Sequence, residues 1–241
     1  MEVTLISAAV VGDFGKGKPL TLMTRRQLQQ LGVRCVDRQL IAEVRGDEVV
    51  TPTGETIPAD ICVWAAGLRA SSVAEAAGLA VDRQARVLAD PMLGSLSHPR
   101  ILAVGDALHP VAPTGARYRM SAFGAIISGA YAAARIRDEA RGRHPRPFSF
   151  SAYGQGVSIG HGGVGFLTYP DDGDARFILH GGLALRIRNL FVWMLVFFLK
   201  LERKWPGSAL FWIGRRRVSW QQARDAMPGH GWAHSNAAER N

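Results

Sequence analysis

Two hydrophobic rhythms alternate along the first third of the chain. Val3, Thr4, Leu5 and Ile6 form an unbroken, largely β-branched run, the pattern of a strand buried on both faces of a parallel sheet. Leu20, Leu22, Met23, Leu28 and Leu31 then recur at helical spacing, with Arg25, Arg26 and Gln29 on the other side. Residues 20–31 are therefore expected to form an amphipathic helix that Gly32 stops. Residues 33–36 follow as a strand. Three shorter strands, 41–44, 48–51 and 56–57, are joined by Gly46-Asp47 and Thr53-Gly54, which carry hairpin chemistry and predict a meander. Residues 59–64 read as a strand returning to the main sheet and ending at Ala65-Ala66-Gly67.

The pattern continues with a short helix over 70–79 and edge strands over 84–89 and 91–93. Ile101-Leu102-Ala103-Val104 reads as a buried strand that stops at Gly105 and presents Asp106 at its C-terminal end. A helix is expected over 120–140, with Phe123, Ile126, Ile127, Ala130 and Ala134 facing the core. Strand-like alternation returns over 148–150 and 157–159. Residues 190–199 are a ten-residue apolar run, half of what a membrane span needs. From Ala226 the chain turns polar and reads as a disordered tail.

Candidate chemistry centres on Gly105-Asp106. Open α/β sheets bind ligands beyond the carboxyl ends of their strands. Glycine there allows close approach. The carboxylate can accept hydrogen bonds from a polyol or ribose, and an ordinary turn or helix cap is the competing reading. Two glycine-rich stretches invite a phosphate reading and fail it on context. Residues 12–19 approach a Walker A loop, but Pro19 stands where Ser or Thr would ligand magnesium. Residues 160–165 match G-x-G-x-x-G literally, yet a strand-like segment follows where the motif needs a helix, so a hairpin turn containing His161 is expected. Pro170 to Asp174 reads as a turn. Cys35 and Cys62 have no metal-like spacing and read as free thiols of a reducing compartment.

The balance of 29 Lys+Arg against 20 Asp+Glu, net +9, suits nucleic acid, an anionic membrane surface or acidic ligands. Position decides among them. Arg186, Arg188, Lys200, Arg203 and Lys204 bracket the apolar run, and Phe211-Trp212-Ile213 followed by Arg215-Arg216-Arg217 repeats the chemistry. Cationic flanks with interfacial tryptophans favour a membrane surface; a buried core helix or an oligomer contact is the alternative. No nucleic-acid partner is expected, because no DNA-binding motif surrounds the basic residues.

Ala65-Ala66-Gly67, the Ile101 to Asp106 strand and Pro113-Thr114-Gly115 together resemble the second half of the pyridine-nucleotide-dependent FAD oxidoreductases, in the branch of type II NADH dehydrogenases. The resemblance implies an α/β fold class: a partial flavoprotein of two Rossmann-like dinucleotide-binding domains, with a C-terminal α+β membrane-facing region. It divides the chain into 1–66, a partial NAD(P)-binding domain with the meander; 67–143, the C-terminal part of the FAD-binding domain; 144–225, a membrane or interface domain; and the 226–241 tail. The implied cofactors are FAD and NAD(P)H. Asp106 would bind the ribityl hydroxyls. Gly67, Gly105 and Ala107 would line the close approach, and the amides of Thr114, Gly115 and Ala116 would face the flavin. Ser7 ends the strand where NAD-specific members carry an acidic residue, so NADH against NADPH stays open. Both glycine-rich turns of the family are missing, which implies the C-terminal part of a longer ancestral protein. The implied partners are a quinone or other electron acceptor, an anionic membrane surface on the cytoplasmic face, and a homodimer or upstream partner chain. The second reading is an inactive membrane-surface binding protein of flavoprotein ancestry.

Overall fold

The computed structural model describes residues 2–111, 114–151, 153–168 and 173–208. The aromatic-basic patch after Phe211, the tail from Ala226, Pro113 and Pro170 to Asp172 lie outside them. The chain forms two units, one taking residues up to Gly67 with the segments from Tyr153 and Gly173–Trp193, the other starting at Leu68.

In the first unit β1 (Val3–Ile6) pairs in parallel with β2 (Val33–Val36), Val3 opposite Val33. The crossover is helix α1 (Lys18–Gln30), with Pro19 in its first turn, where a missing N–H is harmless. Its buried stripe is narrower than expected. Leu20 is 0% exposed and packs with Ile159, Val164 and Phe166, whereas Leu22 is 68% exposed. The N-terminus of α1 is no phosphate cradle. Asp174 lies against Gly17, and the Ala175 amide donates to the Lys16 carbonyl. Strands β3 (Glu43–Val44), β4 (Glu48–Val50) and β5 (Thr56–Pro58) form the expected antiparallel meander.

The strand expected over 59–64 is absent. Ile61 and Val63 are 83% and 84% exposed, Trp64 and Leu68 also face outward, and no backbone–backbone hydrogen bond joins residues 60–69 to the other described residues. A strand exists only against a neighbouring edge, and none of the described strands lies beside this segment. Val3 and Leu5 of β1 are likewise half exposed, where a strand buried on both faces was expected.

Strands β8 (Gly154–Ile159), β9 (Gly162–Leu167) and β10 (Phe177–His180) make an antiparallel sheet in the order β10-β9-β8. The literal G-x-G-x-x-G is the β8–β9 turn, with His161 in it, and the start of β9. Its glycines serve packing: a Cβ on Gly163 would lie 2.6 Å from the Val157 carbonyl oxygen. Helix α4 (Gly181–Lys204) runs 24 residues, well beyond the apolar run that predicted it.

The second unit carries α2 (Val73–Ala76), a single turn of the longer helix expected, and β6 (Val87–Ala89) parallel to β7 (Leu108–Pro110). Residues 91–93 form a turn, not a strand, because Asp90 Oδ1 accepts from the amides of Met92 and Gly94. Ile101 to Val104 is not a buried strand. Leu102 makes one bridge to Gly94, and Ile101 and Val104 are exposed. The regular strand comes after the Gly-Asp pair, as β7. Helix α3 (Ala122–Ala140) is capped by Ser121, whose Oγ accepts from the Gly124 amide. It is turned relative to the expected face. Gly124, Ser128, Tyr131 and Ala132 are buried, while Phe123 is part-exposed; Ile127 alone of the expected set joins the core of Val87, Leu93, Leu108, Tyr118, Phe148 and Phe150.

Asp82 fastens β7. Its carboxylate accepts from the Gln84 and Arg86 amides, from the Arg86 guanidinium and from His109 Nδ1 at 2.7 Å. Burial pushes this carboxyl up, but the bonds from Arg86 and His109 outweigh it and hold it below the ordinary value. The folded state thus favours the ionised form. The associated stability is present above about pH 4 and is lost as pH falls further. Tyr131 behaves oppositely: burial pushes its phenol well above the ordinary range, so stability is full below about pH 10 and lost as pH rises beyond it.

Urea unfolding followed against pH should therefore show an acid limb that Asp82→Asn flattens and an alkaline limb that Tyr131→Phe flattens. Leu20→Ala should cost about 2–5 kcal/mol by the same measurement and Leu22→Ala within about 0.5 kcal/mol. Equal costs would mean that α1 does not present the face described.

Candidate functional site

Gly105–Ala107 form a 3₁₀ turn between extended Val104 and β7. Gly105 sits at φ +63°, in the left-handed region where an L side chain is strained, and a Cβ there would meet Ala125. Both of its backbone groups are buried and both are taken by hydroxyls. The Gly105 amide donates to Ser128 Oγ at 2.9 Å, and Tyr118 Oη donates to the Gly105 carbonyl at 3.0 Å. The two hydroxyls lie 3.1 Å apart. Ser128 has one proton for three acceptors: Tyr118 Oη, the Gly124 carbonyl at 2.7 Å one turn back in α3, and the Ala125 carbonyl at 3.2 Å. With the proton toward Tyr118 the three groups close a ring. Edge-on contacts to Phe148 and Phe150 hold the Tyr118 ring. Burial pushes the Tyr118 phenol up; the bond to Ser128 opposes this, and the charge of Asp106 adds to it. The hydroxyl therefore keeps its proton at neutral pH.

Asp106 itself is exposed. Among the described residues no hydrogen bond or ion pair reaches its carboxylate, so its lone pairs are open to a ligand. Of the competing readings, Asp106 is not the cap of an α-helix; it does lie in a turn, the 3₁₀ turn of Gly105–Ala107. Ala107 beside it is exposed too.

Thr114, Gly115 and Ala116 lie in the same unit as Gly105 and Asp106, and their amides are not equivalent. The Ala116 amide donates to the Phe150 carbonyl at 3.0 Å, and the Phe150 amide to the Thr114 carbonyl at 2.7 Å. Thr114 is buried, its Oγ1 donating to the Ala116 carbonyl at 2.6 Å. The expectation that all three amides face a ligand is thus corrected for Ala116, whose amide closes the bridge to Phe150. Gly115 is exposed at φ +96°. The first residues of α3, Ala122 and Phe123, are also exposed. Arg117 is exposed and Arg119 half-buried and engaged.

Ser7 and Gly67 belong to the first unit. Ser7 ends β1, its backbone paired to Val36 and Gln39 and its Oγ accepting from the Ala9 amide at 3.2 Å. Its hydroxyl proton remains available for a ribose oxygen. Gly67 sits at φ +105° with open space where a side chain would be. Beyond Ser7, Asp37 accepts from the Val11 amide and pairs with Arg25 at 2.7 Å; these bonds hold its carboxyl below the ordinary range.

Tyr118 and Ser128 were not singled out from the sequence. One signal was present: a serine in the middle of a helix stripe of small residues, where a polar group must find a buried partner.

The pyridine nucleotide-disulphide oxidoreductase family model matches residues 1–129. A type II NADH:quinone oxidoreductase of Haemophilus influenzae is 29% identical over 107 residues, which is 44% of this chain and 24% of that protein. Among solved structures, the sulfide:quinone oxidoreductase of Aquifex aeolicus aligns at a TM-score of 0.61 and 15% identity, over 84% of this chain and 50% of that one. The water-forming NADH oxidase of Lactobacillus brevis aligns at 0.51 and 16%, over 70% and 38%. The chain thus spans half or less of the length of these relatives. At such identities the structural likenesses carry the fold: mixed α/β, of the Rossmann-like dinucleotide-binding type. With more than half of its length, the Gly105-Asp106 turn included, inside the matched region, the chain belongs to the pyridine nucleotide-disulphide oxidoreductase family.

Proposed function

We propose that these residues form the C-terminal part of an FAD-dependent NAD(P)H dehydrogenase that reduces a quinone. The observation that carries the reading is the exposed, unpaired carboxylate of Asp106 beside a glycine held in a left-handed turn. A ribityl chain needs acceptors with free lone pairs and a backbone without an intervening side chain, and this turn offers both. The residues fit the group. The name of the Haemophilus influenzae relative supports a quinone as electron acceptor.

When bound, the flavin supplies the redox chemistry, taking electrons from the nicotinamide and passing them to the acceptor. The protein's part is to bind and to orient. Asp106 accepts from the ribityl hydroxyls. Gly105, Ala107 and Gly115 leave the cofactor room, and the exposed amides at Gly115 and at the start of α3 lend positive character to its carbonyl edge. Gly67 and Ser7 serve the nicotinamide side, Ser7 through one hydroxyl bond to a ribose. The described residues hold no G-x-G-x-x-G turn between a strand and a helix, so the pyrophosphates are held by polypeptide beyond them. The exposed apolar side chains of Ile61, Val63 and Trp64, in a segment without backbone–backbone bonds to the other described residues, and the half-exposed Val3 and Leu5 of β1 support a companion segment.

Helix α4 supports a membrane surface as the second partner. Leu190, Phe191, Trp193 and Phe197 are exposed on it, and it is the one helix among the described residues long and apolar enough to cross a bilayer. Arg186, Arg188, Lys200, Arg203 and Lys204 leave only the ten-residue run free of charge, about 15 Å of helix, which favours the anionic interface over a full span. The Lys204 ammonium lies over the Trp205 ring at 4.6 Å, a cation–aromatic pair suited to headgroup depth. The cytoplasmic face is the side so proposed.

A visible absorption spectrum of the purified chain, before and after NADH, tests the enzyme reading. The isolated chain is expected to hold FAD weakly and to turn over little. Stoichiometric FAD bleached by NADH with this chain alone would remove the need for a companion segment. Liposome flotation tests the membrane reading: the chain should float with anionic vesicles and remain behind when Phe191 and Trp193 are replaced by Asp. A variant that floats as well as the parent would sink the role of α4.

A further inference from the structure

We infer that Tyr118 and Ser128 are positioning residues that aim Asp106 at the ribityl hydroxyls by locking the backbone of Gly105. This rests on the flavin reading of Asp106 and adds to it the means by which the carboxylate is preorganised.

The argument starts from what Asp106 lacks. No hydrogen bond or ion pair from the described residues holds its carboxylate, so its direction is set by the backbone that carries it. The preceding residue is a glycine, the least restrained of all residues, in a conformation it shares with several others of similar energy. Fixing one residue's backbone costs conformational entropy. If the ligand had to impose that order, affinity would fall accordingly. Here the protein imposes it beforehand. The Gly105 amide is taken by the Ser128 hydroxyl at 2.9 Å, its carbonyl accepts from the Tyr118 hydroxyl at 3.0 Å as well as from the Leu108 amide that closes the 3₁₀ turn, and the two hydroxyls touch each other at 3.1 Å. Ser128 is 0% exposed and Tyr118 8%, so water cannot replace a lost bond easily. Ser128 is anchored by its place within α3, where the Gly124 and Ala125 carbonyls are the alternative acceptors of its one proton. Tyr118 is anchored by Phe148 and Phe150. The lock thus ties the Gly-Asp turn to the unit's aromatic core and to its longest helix, while leaving the Asp106 carboxylate itself free.

The test uses riboflavin, which carries the ribityl chain and needs no pyrophosphate site, and lumichrome, the dimethylalloxazine that keeps the three fused rings in the alloxazine form and lacks that chain. Binding of each is followed by quenching of flavin fluorescence with the full chain and with Tyr118→Phe, Ser128→Ala, Asp106→Asn and the double variant Tyr118→Phe/Asp106→Asn. Tyr118→Phe and Ser128→Ala should each weaken riboflavin about three- to tenfold and leave lumichrome unchanged. Asp106→Asn should weaken riboflavin at least as much, and adding Tyr118→Phe to it should cost little more, because the lock acts through Asp106. Equal weakening of both ligands, or effects that multiply in the double variant, would mean a structural role only and overturn the inference. If Asp106→Asn weakens riboflavin while the lock variants do not, the inference fails and the flavin reading stands. If Asp106→Asn has no effect, or the parent chain binds neither compound, the flavin reading itself fails and the lock's role falls with it.

Discussion

A buried backbone amide and carbonyl at a left-handed glycine must both find partners, and in the second unit that requirement organises much of what surrounds it. Gly105 has no strand neighbour to bond. The Leu108 amide closes the 3₁₀ turn onto its carbonyl, and two side chains complete the set: Ser128 from the middle of α3 on the amide and Tyr118 from the stretch before it on the carbonyl. For Ser128 to reach the amide, α3 must turn its stripe of small and polar residues inward. That is why Gly124, Ser128 and Tyr131 are buried where larger aliphatic residues were expected. For Tyr118 to reach the carbonyl, its ring must enter the core, where Phe148 and Phe150 close over it edge-on. On the other side of the turn Asp82, itself paired with Arg86, accepts from His109 Nδ1 and so holds the start of β7. The turn is fastened at both ends, and the one side chain left unfastened is the Asp106 carboxylate.

The first unit meets a different constraint. A parallel pair of strands is stable only when both faces and both edges are covered. Helix α1 covers one face of β1 and β2 and shares its buried Leu20 with the hairpin of β8 and β9. Among the described residues, Val3 and Leu5 of β1 are left half exposed. The cost is visible as apolar side chains in water at Val3, Leu5, Ile61, Val63 and Trp64. Such a surface marks a place where protein is meant to sit. It also explains why residues 59–64, with strand composition, do not form a strand: β structure is a pairing property, and composition cannot supply the partner.

Helix α4 shows the limits of apolarity as a guide. Leu190, Phe191, Trp193 and Phe197 of its central run are exposed, while Met194, Leu195 and Phe198 are half-buried along one stripe, so most of its hydrophobicity does not come from a core position. The cations at both ends restrict how deep it can lie, and the membrane-surface proposal follows from that pairing of apolar run and charge.

The sequence by itself determined the local elements whose signals are self-contained: the β1–α1–β2 crossover, the meander set by Gly46-Asp47 and Thr53-Gly54, a helix expected over 120–140 and found as α3, and the hairpin hidden in a literal G-x-G-x-x-G. It also singled out Gly105 and Asp106, because a glycine followed by a carboxylate after an apolar run is uncommon enough to stand out. Only the tertiary structure decided how those elements present themselves. It turned α3 by the demand of one buried amide, removed Ala116 from the candidate donors by pairing it with Phe150, and placed the regular strand after Asp106 instead of before it. It brought Tyr118 and Ser128, ten residues apart, onto the same glycine. The reason is common to all of these: a helix face, an amide's availability and a strand's existence depend on partners distant in the chain, and periodicity carries no information about them.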